Sequence, residues 1–137
     1  MKLSNTSEYA IRILSFMARD AEKKYAAKYL VEQLKISDKY LRRILTILTK
    51  AGIIISIRGR EGGYAFQKKL QEIFLSDIIE ATEGMDKYLG CILGFSECSD
   101  ETPCVLHSKW IAARTALINN FLETSLADIN LKGNIKF

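Results

Sequence analysis

A helix, a glycine stop and a basic hairpin follow one another without a spare residue between Ser37 and Phe66, and no other stretch restricts the fold so tightly. Leu41, Ile44, Leu45 and Leu48 recur at i, i+3, i+4 and i+7, which predicts one buried stripe on a helix capped by Ser37. Lys39, Arg42, Arg43 and Thr46 repeat that spacing out of phase, so the opposite face presents a solvated ridge of three cations and a hydroxyl. Gly52 supplies a left-handed stop. Ile53 to Ile57 is then a β-branched run of strand type, and Tyr64 to Phe66 can return antiparallel to it. The connection from Arg58 to Gly63 reads RGREGG; its glycines let the backbone approach another molecule closely while Arg58 and Arg60 project from the tip.

This order is the layout of a winged helix-turn-helix, in which the helix enters a DNA major groove and the wing reaches a neighbouring minor groove or phosphates. The candidate DNA contacts are Ser37, Lys39, Tyr40, Arg42, Arg43, Arg58, Gly59 and Arg60. A basic ridge alone is what many wet helix faces show; a ridge joined to a glycine-rich tip with two arginines is a costly way to close an ordinary hairpin. Charge supports the reading. Residues 1–70 hold 15 lysines and arginines against 6 acids, whereas 71–137 hold 5 against 10. The net charges are therefore +9 and −5, and the basic half suits a polyanion.

Before the ridge, residues 7–19 predict a helix from a Ser7 cap, with Ala10, Ile13, Leu14 and Met17 on one face and Tyr9, Ile11 and Phe16 widening it toward a partner subunit. A loop over 20–24, a helix over 25–34 and a turn at Lys35-Ile36 complete the helix-turn-helix. After the wing, Ser76 is the expected cap of a helix stopped by Gly84. Residues 105–127 predict the longest helix, with Trp110, Ala113, Leu117 and Phe121 on a stripe wide enough to pack on the same helix of a second chain. The expected fold is mainly α with a small β-hairpin wing: a DNA-binding domain over 1–84 (wing 53–66), a cysteine-rich loop over 85–107, a dimerisation helix over 108–130 and a polar tail over 131–137. No apolar run approaches membrane-spanning length, and a soluble cytoplasmic homodimer is expected.

Periodicity vanishes from Met85 to Pro103, and all three cysteines of the chain lie in or beside that segment. Six residues separate Cys91 from Cys98, five separate Cys98 from Cys104, and two separate Cys104 from His107, the only histidine. Buried structural cysteines ride on periodic apolar faces, so these read as ligands on a loop, for iron or zinc, with the imidazole as a nitrogen donor. An enzyme is not expected, because no paired carboxylate or nucleophile constellation accompanies His107.

The wing, the preceding Lys50-Ala51-Gly52-Ile53, the segment Ser76 to Gly84 and the cysteine loop together resemble the Rrf2 family of bacterial transcription regulators over about residues 1–130. The closing Cys104, His107 and Trp110 resemble its iron-sulfur, IscR-type branch. That resemblance implies a homodimeric binder of double-stranded operator DNA with a 2Fe-2S cluster in each subunit, held by Cys91, Cys98, Cys104 and His107. The six-residue first gap leaves 4Fe-4S or zinc open. Glu8 is an alternative fourth ligand, since relatives that sense nitric oxide or redox state use an acid at this point of the partner's first helix. A different class of function, an iron-sulfur or zinc carrier with a basic docking face, fits the same residues.

Overall fold

The computed structural model describes residues 2–132. Helix α1, Asn5–Met17, is capped three residues before the expected position: Ser4 is the N-cap, and its Oγ accepts the Ser7 N–H at 3.1 Å. Ser7 instead lies fully buried in the first turn. The apolar face of α1 is covered by its own domain, with Ala10, Ile13, Leu14 and Met17 inside the main core and Tyr9, Ile11 and Phe16 packed against it.

Helix α2, Ala27–Leu34, starts later than its hydrophobic pattern implies because Tyr25 is diverted into the wing. Tyr25 and Tyr64 exchange backbone hydrogen bonds, each 2.8 Å long, so the hairpin base is clipped to the entry of α2. Lys35 ends α2 in the left-handed region, at φ 54°. Helix α3, Asp38–Lys50, buries Leu41, Ile44, Leu45 and Leu48 completely, as their spacing requires. Ser37 occupies the N-cap position but its hydroxyl makes no capping bond. Gly52 follows at φ 76°, the left-handed stop.

Strands β1, Ile54–Ile57, and β2, Gly63–Phe66, pair antiparallel with Ile54 opposite Phe66 and Ile57 opposite Gly63. The close approach of the wing to α2 dictates glycine at position 63, where a Cβ would stand 2.6 Å from the Tyr25 carbonyl oxygen. Helix α4, Leu75–Thr82, is not capped by Ser76: Phe74 is the N-cap residue, and Asp77 reaches back to accept its N–H at 2.9 Å. Ile78 of α4 faces the main core while its neighbour Ile79 joins Tyr88 and Phe121 in a second, smaller cluster.

The long C-terminal helix is two helices. Helix α5, His107–Glu123, stops where Thr124 becomes extended, at φ −96° and ψ 115°. The Thr124 carbonyl accepts the Leu75 N–H at 2.9 Å and the Leu126 N–H donates to the Ile73 carbonyl at 2.7 Å, so the chain pairs briefly with the entry to α4. Helix α6, Leu126–Lys132, then returns to the winged-helix core, where Leu126 is fully buried. The break arises because Ser125 and Asp128 form a local cap: Asp128 accepts the Ser125 N–H at 3.0 Å and Ser125 Oγ accepts the Asp128 N–H at 3.2 Å. Within α5 Trp110 and Phe121 are buried, whereas Ala113 of the expected stripe is exposed. Most of the tail expected over 131–137 lies outside the described residues.

Candidate functional site

Two sites emerge, one basic and one sulfur-rich. On α3, Lys39, Arg42 and Arg43 are exposed, as their phase relative to the buried stripe demands. The ridge is less uniform than its spacing implies. Arg42 Nε bonds both Asp38 carboxylate oxygens, at 2.9 and 3.0 Å, and the Thr46 hydroxyl folds back onto the Arg42 carbonyl at 3.0 Å. Tyr40 points away from the ridge: its hydroxyl meets Thr6 Oγ1 at 2.8 Å and its ring stands edge-on to Tyr9 at 5.5 Å. Tyr40 is therefore an anchor of α3 on α1, since a ring half a turn behind the exposed face finds the first helix before it finds solvent.

Arg58, Gly59 and Arg60 lie exposed at the wing tip. Between wing and helices runs a groove of about 390 Å³ lined by Lys28, Arg42, Ser56, Arg58 and the wing glycines. Lys28 and Ser56 carry no signal in the sequence pattern. What brings them beside the ridge is the Tyr25–Tyr64 clip, which spans 39 residues of chain and which no local pattern announces.

The second site is assembled by the start of α5. The Cys104 carbonyl accepts the His107 N–H at 3.1 Å, Trp110 Nε1 donates to the Gly90 carbonyl at 2.6 Å, and Arg114 donates to the Leu89 carbonyl. These bonds tie both ends of an otherwise aperiodic loop to one helix. The Sγ atoms of Cys91, Cys98 and Cys104 all lie within 4.8 Å of one another. Cys91 and Cys104 stand 3.7 Å apart. A tetrahedral ion bonded to two thiolates at about 2.3 Å holds its sulfurs about 3.8 Å apart, so the pair has the span of two ligands on one metal.

His107 touches the trio at one point, with Nδ1 3.2 Å from Cys98 Sγ, while its Nε2 lies 2.9 Å from Asp100 Oδ1. Burial disfavours the Cys91 thiolate, but the backbone N–H groups of Phe95 and Leu93 and the two neighbouring thiols outweigh it and bring Cys91 down to about 7. Cys98 moves the other way: the Cys104 backbone favours its thiolate, and burial with the adjacent thiols of Cys104 and Cys91 overrides that. Glu8 pairs with Lys2 at 3.4 Å and does not join the thiols of its own chain.

Residues 3–131 match the Rrf2 family, described as iron-dependent transcriptional regulators. The chain belongs to that family. It is 31% identical over 130 residues to the protein rrf2 of Nitratidesulfovibrio vulgaris, covering 94% of this chain and 87% of that one. It is 33% identical over 131 residues to the HTH-type transcriptional regulator NsrR of Geobacillus kaustophilus, covering 94% and 89%. Among solved structures it superposes on the oxidised form of Staphylococcus aureus CymR with a TM-score of 0.76 at 27% identity, covering 98% of this chain and all of that one. T. potens IscR superposes with a TM-score of 0.71 at 26% identity, covering 93% and 85%. This Rrf2 chain is therefore a winged-helix, DNA-binding transcription regulator, and its relatives are regulators and not enzymes. No helix among the described residues is long and apolar enough to cross a membrane.

Proposed function

We propose that this Rrf2 regulator is a cytoplasmic homodimer whose DNA affinity is governed by an iron-sulfur cluster, of the 2Fe-2S type, held by Cys91, Cys98, Cys104 and His107. The observation that carries the reading is the convergence of three thiols within 4.8 Å on a chain that also presents a basic recognition helix and wing. Such a centre, when loaded, supplies a one-electron couple and sensitivity to iron supply and oxidants. Arg43, Lys39 and Arg42 read base edges, and Arg58 and Arg60 take phosphates or a narrow minor groove.

The protein's own contacts support a route from loop to helix. Leu89 and Gly90, at the loop entrance, follow Tyr88, whose hydroxyl donates to Glu83 at 2.7 Å. Glu83 in turn accepts the Ser4 N–H at 2.8 Å and the Ser7 hydroxyl on α1. Helix α1 packs on α3, so a loop rearranged at Cys91 bears on the recognition helix through one buried carboxylate. The exposed Leu89, Ile92, Leu93, Phe95, Val105 and Leu106 around the loop, with Leu122 on α5, offer the apolar surface a second subunit would cover.

Anaerobic purification followed by a visible absorption spectrum, iron and sulfide content, and sedimentation tests the proposal. A coloured dimer whose colour is lost in Cys91→Ser supports it; a colourless zinc protein or a metal-free one refutes the cluster. Reconstitution of His107→Ala and Glu8→Ala decides the fourth ligand, and a cluster altered only in Glu8→Ala makes the site inter-subunit. Binding to short duplexes at two salt concentrations separates a regulator from a carrier, which shows no sequence preference.

A further inference from the structure

The imidazole of His107 is gripped from both sides. Its Nδ1 lies 3.2 Å from Cys98 Sγ and its Nε2 lies 2.9 Å from Asp100 Oδ1. A neutral imidazole carries one ring proton, and a carboxylate accepts without donating. With the proton on Nε2, the ring donates to Asp100 and turns its bare Nδ1 toward the thiols. The opposite tautomer sets two acceptors against each other at 2.9 Å and leaves no lone pair facing the sulfurs.

Asp100 is delivered to that spot by a closed turn. Thr102 Oγ1 donates to the Glu97 carbonyl at 2.5 Å, the Thr102 N–H to Ser99 Oγ at 3.2 Å, and the Ser99 N–H to the Thr102 carbonyl at 3.3 Å. The Asp100 side chain is 92% exposed and that of His107 15%, so the carboxylate contributes no core packing. Its structural partner is the ring. His107 is fixed at its backbone as the first residue of α5, which leaves ring orientation and tautomer as what Asp100 controls.

We infer that Asp100 is a positioning residue that fixes His107 as the Nε2–H tautomer and so presents Nδ1 as the nitrogen donor to a metal held by the cysteines. The inference rests on reading Cys91, Cys98 and Cys104 as a metal centre. Outer partners of this kind orient a ligating imidazole and raise its basicity.

The chain has one histidine, so nitrogen NMR of the metal-free, full-length protein at mildly alkaline pH observes this ring without overlap. The wild type is expected to show Nε2 protonated and Nδ1 bare. Asp100→Asn retains that tautomer, because the amide carbonyl still accepts, whereas Asp100→Ala yields a mixture. With Co²⁺ as the probe, Asp100→Ala binds about 10–100-fold more weakly and Asp100→Asn recovers most of the loss. An Nδ1–H wild type overturns the inference, as do tautomer populations or a Co²⁺ affinity unchanged in Asp100→Ala. A wild type that shows the Nε2–H form, loses it in Asp100→Ala and yet takes up no Co²⁺ overturns the metal centre instead, while the tautomer assignment stands.

Discussion

The winged-helix core and the cysteine loop distribute the same kinds of residue in opposite ways. In the core, every leucine and isoleucine of the α3 stripe is fully buried while Lys39, Arg42 and Arg43 of the same helix face water. In the loop, Phe95 is 60% and Val105 87% exposed while the cysteines turn toward one another. The core is held by apolar burial, about 1.5–3 kcal/mol for each large side chain. The loop is held by hydrogen bonds to Trp110, Arg114 and His107. Apolar burial therefore holds one region together and directed hydrogen bonds hold the other, and elements with few buried apolar contacts are the ones that open at the lowest cost.

The largest effect should come from breaking the core. Leu45→Ala removes a fully buried side chain and is expected to cost about 2–5 kcal/mol in chemical denaturation. Phe95→Ser, in the loop, should change the stability of the separated subunit by less than about 0.5 kcal/mol. Equal losses for the two would erase the contrast.

Glu83 joins the regions and should come next. Desolvation would raise its carboxyl, but bonds from Lys87, Ser7, Ser4 and Tyr88 overcome it and hold the group well below the ordinary carboxylate range. A pKa lower folded than unfolded stabilises fully above the unfolded value, and the contribution is lost as pH falls through the carboxylate range toward the folded value. Glu83→Ala leaves the Ser4 N–H and the Tyr88 hydroxyl without their acceptor and should cost about 1–3 kcal/mol at neutral pH. Its stability should also fall less than that of the wild type as pH drops from neutral through the carboxylate range, as thermal melts at a series of pH values would report.

On the DNA face the comparison sharpens between adjacent arginines. Arg43→Ala is expected to lose about 1–3 kcal/mol of discrimination between specific and non-specific duplex. Arg42→Ala should lose less, because Arg42 must first leave Asp38, and removing Asp38 should narrow the difference. The smallest effect belongs to the wing. Arg58→Ala with Arg60→Ala should weaken all sequences alike and reduce the slope of log affinity against log salt by about 0.9 for each phosphate no longer neutralised.

Much of this molecule is legible in local pattern. The buried stripe and exposed ridge of α3, the glycine stop, the hairpin and the cysteine-bearing loop follow from helical period, β-branching and backbone freedom, which act over a few residues. The caps are less legible. Ser7, Ser37 and Ser76 each suit an N-cap by composition, yet Ser4 and Phe74 cap two of the helices and Ser37 makes no capping bond. A cap is chosen by which oxygen the packed helix can spare, and Ser7 is committed to Thr82 and Glu83 across 75 residues or more of sequence.

Tertiary structure alone decided the remainder. The turning of Tyr40 toward α1, the recruitment of Lys28 to the wing groove and the meeting of Cys98, His107 and Asp100 all depend on contacts between elements. Residue type and spacing announced that the three cysteines would come together, because thiols without a periodic face have little other use. Which atoms face which, and that Asp100 stands behind the imidazole, required the α5 start to be docked on the loop, since a sequence specifies donors while only a folded backbone gives them directions.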